Sequence, residues 1–310
     1  KPAGPKSGFI RDVLRDGLEQ EQKLGVNPFK LGFIASSDTH IGAPGAVSES
    51  GFLGHGGAGV PVGDTVPEGL PDDLEFNPGG LAAVWAEANN RTALFDAMQR
   101  RETYGSSGPR ITLRFFGGDE SLPEDICERT DYVALGYEHG VPMGGDLPLI
   151  EEGSSPVFMV FAKMDGGRSG HSGMPLQRIQ IIKGSVDEDG RRAEKVIDIA
   201  GDSDSEAGVD LNTCETFGSG YPQLCGRWQD PQFDPLEHAY YYARVLENPS
   251  CRWSQQICVA AKVDCDSPKT IKPGYEQCCS ASHRPSIQER AWSSPIWYSP
   301  AVNAVGGHLP

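Results

Sequence analysis

Two periodicities alternate along the chain. Residues 7–23 place Ile10, Val13, Leu14 and Leu18 on one face of a helix. Ser7 suits the start of that helix, and Gly25 stands where a left-handed C-cap belongs. Asn27-Pro28 breaks the pattern. A short apolar run extends from Leu31 to Ala35, closed by Ser36, Ser37, Asp38, Thr39 and His40. Its length and polar boundary predict a buried strand. Helix, turn and strand in that order predict an alternating α/β unit with parallel strands. Residues 80–87 form a second apolar run ending in Glu87, and Asn89 or Asn90 is placed to cap a helix over 91–101. Leu94, Phe95 and Met98 are its expected buried face.

From residue 111 the period becomes that of strands. Runs at 111–116, 156–164, 176–183, 193–200, 238–246 and 294–298 are short and separated by turn signals, with a hairpin tip at Asp187-Glu188-Asp189-Gly190. Such a series predicts a β-sandwich. The expected fold is therefore α/β plus all-β, divided into residues 1–110 and 111–310.

The candidate chemistry starts at residue 38. In parallel α/β folds the reactive side chains lie at the carboxyl ends of strands. Asp38 and His40 are two apart, so extended backbone sends both to one side. A carboxylate with an imidazole suits a divalent metal with mixed oxygen and nitrogen ligands; the alternative is a turn-forming Asp and a hydrogen-bonded His. Residues 41–71 are rich in Gly and Pro and include His55 within Gly54-His55-Gly56-Gly57, without the lysine and spacing of a phosphate-binding P-loop. They read as a flap over the strand end. Arg110 suits a bidentate grip on an anionic substrate group, or a structural ion pair. Glu87 suits the orientation of a metal-bound water or a ligand histidine, or pairing with Arg91. The stretch from Asp202 to Asp210 has the composition of a calcium loop without its full pattern, and reads as a solvated acidic loop.

Charge and cysteine content narrow the classes. The net charge of −16 disfavours nucleic acid and anionic membrane as partners. No apolar run is long enough to span a membrane as a helix. Seven of the eight cysteines fall between Cys214 and Cys279, in a loop-rich region, without paired C-x-x-C knuckles. Disulfides and an oxidising compartment, periplasmic or extracellular, are the expectation over free thiols or structural zinc; the sequence does not choose the connectivity.

Ser36-Ser37-Asp38-Thr39-His40 resembles the last metal-binding motif of the PHP (polymerase and histidinol phosphatase) superfamily. Residues 80–110, 141–147, 175–184, 242–253 and 291–298 are similar to corresponding parts of a bacterial family within it, DUF3604. The resemblance spans nearly the whole chain. It implies the C-terminal part of a PHP-like (β/α) barrel followed by a β-sandwich. It also implies a metal-dependent hydrolase acting on a small-molecule phosphoric ester or related bond, with divalent ions (Zn, Mn or Fe) and a metal-activated water. Asp38 and His40 map to the superfamily's Asp and His ligands; Arg110 and Tyr104 are then candidate substrate contacts and Glu87 a support to the metal shell. The superfamily's earlier motifs, His-x-His among them, have no counterpart in these residues. The expectation is that an N-terminal segment of the same protein supplies the remaining ligands. The competing expectation is a secreted, non-enzymatic binding or assembly module built on residues 111–310.

Overall fold

The computed structural model describes residues 9–36, 80–151, 153–167 and 172–300. Asp38, His40, His55, Ser7 and the expected flap lie outside them. In chain order the elements are α1 (Ile10–Leu24), β1 (Leu81–Val84), α2 (Arg91–Gln99), β2 (Thr103–Ser106), β3 (Thr112–Gly118), α3 (Tyr132–His139), β4 (Gly140–Pro142), β5 (Val157–Lys163), β6 (Leu176–Val186) and β7 (Arg192–Gly201). Next come β8 (Gly208–Val209), β9 (Thr216–Phe217), β10 (Gln223–Gln229), β11 (His238–Glu247), β12 (Ser250–Cys251), α4 (Trp253–Ala260), β13 (Ser286–Ile287), β14 (Arg290–Ser293) and β15 (Ile296–Tyr298).

The fold is mixed and rich in sheet. One sheet runs β1-β2-β14-β11-β6-β7, with β15 also on β11; a second runs β10-β5-β3-β4. The side chains of Leu113, Phe115, Phe158, Val160, Ile179, Ile181, Tyr241 and Val245 fill the space between them. Helix α1 covers the outer face of the first sheet through Leu14 and Leu18, against Ile182, Tyr240, Tyr242 and Trp297. Helix α3 covers the outer face of the second, where Phe116, Leu122, Val157 and Met159 lie. Strand β6 is thereby buried on both faces, which its apolar run requires.

Three expectations need correction. First, every ladder among the described residues is antiparallel, and none of these sheets closes into a barrel. The first sheet joins strands from both sides of residue 110, because β2 pairs with β14. Second, residues 31–36 form no strand and join no ladder. They cross the outer face of β2, held by hydroxyls: Thr103 Oγ1 donates to the Phe33 carbonyl at 2.8 Å, and Phe33 N–H donates to Ser294 Oγ at 2.8 Å. Phe33 turns inward, onto Tyr242, while Ile34 is 62% exposed. A side chain on Gly105 would meet Ala35 N at 2.8 Å, so this crossing depends on glycine there. Third, α2 starts at the expected cap, Asn90, whose side chain accepts from Ala93 N–H at 2.9 Å. Its buried residue is Ala97, whereas Phe95 and Met98 are 54% and 48% exposed.

All eight cysteines are paired: Cys127–Cys225, Cys214–Cys251, Cys258–Cys278 and Cys265–Cys279. The last two knit α4 and the turns after it around Trp253, Ile257 and Tyr275, a core too small to hold by burial alone. Four disulfides mark a chain that folds in an oxidising environment. No helix among the described residues is long and apolar enough to cross a membrane.

Candidate functional site

Antiparallel pairing decides which loops share an end of the sandwich. In the registers, Leu81 faces Ser106, Ser106 faces Ala291, Leu246 faces Arg290, and Glu247 faces Leu176. The start of β1, the end of β2, the start of β14, the end of β11 and the start of β6 therefore lie together. Ser36, the last described residue before Asp38 and His40, lies against Gly80 at this same end.

The loop 106–110 is fastened here. Ser107 N–H donates to the Arg290 carbonyl at 2.9 Å, and Arg290 N–H donates back to Ser107 Oγ at 2.8 Å. Ser107 Oγ also donates to the Glu289 carboxylate. Arg110 N–H donates to Asp165 Oδ2 at 2.7 Å, and Gly167 N–H donates to the same carboxylate's Oδ1 at 2.8 Å. Asp165 thus ties the approach to β3 to the exit of β5.

Glu247 lies behind these loops. The β6–β11 register slips at this point, so that Leu246 faces Arg178 and Glu247 faces Leu176. Gln177 is skipped, and its Oε1 accepts from Gln288 Nε2 at 2.8 Å. Gln288 Nε2 also donates to the Glu247 carbonyl at 2.9 Å, and Glu247 N–H donates to the Glu289 carbonyl at 2.9 Å. The backbone of Glu247 is satisfied; its Oε1 is not. The residue is 2% exposed and Oε1 is buried without a hydrogen-bond partner. Burial first, then the nearby charges of Glu289 and Asp165, push its carboxyl up to about 9 from the ordinary 4.5. Glu247 is accordingly a neutral acid at neutral pH. A carboxylic acid held neutral by burial can donate as well as accept a hydrogen bond, the property on which several acid–base sites depend.

The residues singled out from sequence do not all meet. Arg110 is at this end, with its side chain exposed. Tyr104 is joined to it indirectly: its hydroxyl donates to the Ile111 carbonyl at 3.1 Å, while its ring lies in the core, 6.1 Å from that of Trp85. Burial raises the Tyr104 hydroxyl above its ordinary value. Glu87 comes after β1 and is exposed at the opposite end of the β1–β2 pair from Arg110. Near that opposite end Glu102 is buried beside Arg100, Arg114 and Tyr137, and the Arg114 guanidinium lies 3.3 Å above the Trp85 ring. Sequence reasoning passed over Asp165, Glu247 and Glu289. Each stands just outside or at the end of a strand, where an acid is ordinarily solvated. Among the described residues no three His, Cys, Asp or Glu side chains converge closely enough to hold a metal ion.

A family model described as a protein of unknown function, DUF3604, matches residues 1–300. The chain belongs to the DUF3604 family. No curated protein and no solved structure matches this DUF3604 chain.

Proposed function

We propose that this DUF3604 protein is the C-terminal portion of a metal-dependent hydrolase of the PHP superfamily, acting on a phosphoric ester or related bond of a small molecule in the periplasm or outside the cell. The observation that supports the reading is the gathering of chain segments at one end of the sandwich. Ser36, which leads to Asp38 and His40, the loop carrying Arg110, and the acids Asp165, Glu247 and Glu289 belong to that end. In this reading Asp38 and His40 are two of the ligands, and an N-terminal segment of the same protein completes the set. A bound Zn, Mn or Fe ion supplies Lewis acidity and a water acidified enough to attack at neutral pH. The chain's own part is positional. Arg110 offers a planar, permanently charged donor to an anionic substrate group. Ser107, Glu289 and Asp165 fix the loop from which it projects.

Elemental analysis of the intact protein, with hydrolysis of p-nitrophenyl phosphate and bis(p-nitrophenyl) phosphate as probes, tests the proposal. Wild type is expected to retain a divalent metal and cleave one of the probes. Asp38→Ala and His40→Ala are expected to lose at least about 100-fold in metal affinity and in rate, as loss of a direct ligand exceeds the effect of outer-shell partners. Wild-type protein that binds no metal and cleaves neither probe refutes it.

A second reading, a secreted binding or assembly module built on residues 111–310, is favoured by the apolar residues exposed there, among them Leu149, Val196, Phe217 and Leu236. It predicts full partner binding by the Asp38→Ala and His40→Ala variants.

A further inference from the structure

The polar end of the sandwich has a feature that hydrolysis does not require. Glu247 is almost fully buried, its Oε1 has no partner, and the charged groups that face it among the described residues are two more acids. Asp165 approaches from the exit of β5 and Glu289 from the approach to β14; the neighbours on β6 and before β14, Gln177 and Gln288, are neutral and bonded to each other. Those same two carboxylates hold the loops at this end: Glu289 accepts from Ser107, and Asp165 from Arg110 and Gly167. An ionised Glu247 in this arrangement is an unsolvated, unpaired charge next to like charges.

We infer that a proton on Glu247 locks this end of the sandwich closed, so that opening of the loops around residues 106–110, 165–167 and 286–290 releases that proton. The lock goes beyond the hydrolase reading and stands whether or not the chain cleaves an ester. In the closed state the carboxyl is neutral. In an open state it meets water and ionises like any glutamate. The open state therefore binds fewer protons across the interval from the ordinary 4.5 to about 9. By linkage, closure weakens as pH rises through that interval, and the opening equilibrium grows by about tenfold per pH unit. Below pH 4.5 both states are protonated and the dependence vanishes. The loop that presents Arg110 is thus held more firmly in acid than in alkali.

Amide hydrogen exchange of the full chain between pH 5 and 9, corrected for the intrinsic pH dependence of exchange, reads the opening equilibrium directly. The N–H groups of Ser107, Arg110, Glu247 and Arg290 are expected to lose protection about tenfold per pH unit. Those at the Phe115–Val160 pair of β3 and β5, which open only with the whole fold, are expected to keep higher protection than the four amides at every pH. In Glu247→Gln, which is neutral at every pH, the slope at the four amides is expected to flatten. Retention of the slope in Glu247→Gln overturns the lock. So does equal protection at the four amides and at Phe115 and Val160, since Glu247 would then be exposed only when the whole fold opens and not by an opening of this end. If Glu247→Gln fails to fold, the infrared carbonyl band of a protonated carboxyl in wild type decides: its persistence to pH 8 supports the lock, and its absence there overturns it.

Discussion

Lys183 and Asp230 fasten one sheet to the other, and their removal singly and together is expected to give very different answers. Lys183 is on β6, and Asp230 comes directly after β10 in the second sheet. Their residues are 3% and 2% exposed. Lys183 Nζ donates to Asp230 Oδ2 at 2.6 Å and to the Gln232 carbonyl at 3.1 Å. Asp230 also accepts from the Tyr241 hydroxyl at 2.8 Å and from Gln232 N–H at 3.0 Å. Burial, with Asp230 beside it, holds the Tyr241 hydroxyl well above its ordinary value, so Tyr241 remains a donor. Lys183→Met strands a buried carboxylate; Asp230→Asn strands a buried ammonium. Each is expected to destabilise by about 3–5 kcal/mol, because the desolvation of the remaining charge is no longer offset. At roughly 2 °C per kcal/mol for a chain of this length, that lowers Tm by about 6–10 °C. The double variant leaves no buried charge, and the amide introduced by Asp230→Asn can keep its oxygen toward Gln232 N–H while its NH2 donates to the Tyr241 hydroxyl oxygen. It is expected to lose no more than about 2 kcal/mol, so the double-mutant cycle closes with a coupling of at least about 4 kcal/mol. Urea unfolding followed by tryptophan fluorescence, with m-values compared across the four proteins, measures all the terms. Single variants that each lose less than about 1 kcal/mol, or a double variant that loses the sum of the singles, would refute the argument that the pair bridges the sheets as a desolvated unit.

Two more outcomes are expected from the packing. The Cys127–Cys225 bridge spans 98 residues and Cys265–Cys279 spans 14. Chain entropy makes the first worth about 4.7 kcal/mol and the second about 3, so replacing the first pair by Ala is expected to lower the urea midpoint more than replacing the second; the reverse order would show that native-state effects dominate. Gly105→Val puts a branched side chain where the segment 31–36 crosses β2. It is expected to cost about 1–3 kcal/mol and to open Phe33 to chymotrypsin, and unchanged resistance at Phe33 would rule out the crossing as drawn.

The parts of the fold that local pattern can specify were legible. Leu14 and Leu18 are buried residues of α1, and Gly25 ends it at φ 73°. Asn90 caps α2. The β6–β7 hairpin turns where Asp187 and Gly190 predicted, with Asp187 Oδ1 accepting from Asp189 and Arg191 N–H. The illegible parts depend on partners far away in sequence. The apolar run after Lys30 has the composition of a buried strand. It lies on a face because its hydrogen-bond partners are hydroxyls 70 and 261 residues distant. Phe95 and Met98 have the right spacing for a buried face, but Ala97 is the residue that α2 buries. Helical period gives the spacing of a stripe and not which stripe is covered. Glu247 ends a strand of sequence His-Ala-Tyr-Tyr-Tyr-Ala-Arg-Val-Leu-Glu, where an acid reads as a solvated terminus. Asp165, Glu289 and the register slip at Gln177 give it significance, and none of them is near it in the chain.

Strand direction explains why the candidate residues divided as they did. In a parallel sheet every carboxyl end faces one way, and a search restricted to residues after strands finds the whole site. In this antiparallel sandwich each end collects, alternately, residues after one strand and residues before the next. Glu87 comes after β1 and Arg110 after β2, and β1 and β2 run in opposite directions, so the two residues are carried to opposite ends. By the same logic Glu289, which precedes β14, joins Glu247, which ends β11, because Leu246 pairs with Arg290. The useful unit for reading chemistry from such a chain is therefore the pair of residues flanking a ladder, one after the first strand and one before its partner. Applied to the β2–β14 ladder this rule selects Ser107 and Glu289, which are in hydrogen-bond contact. Applied to β3 and β5 it selects the approach at Arg110 and the exit at Asp165, which are also in contact. Arg110 is the one residue of these four to which sequence reasoning had assigned a role.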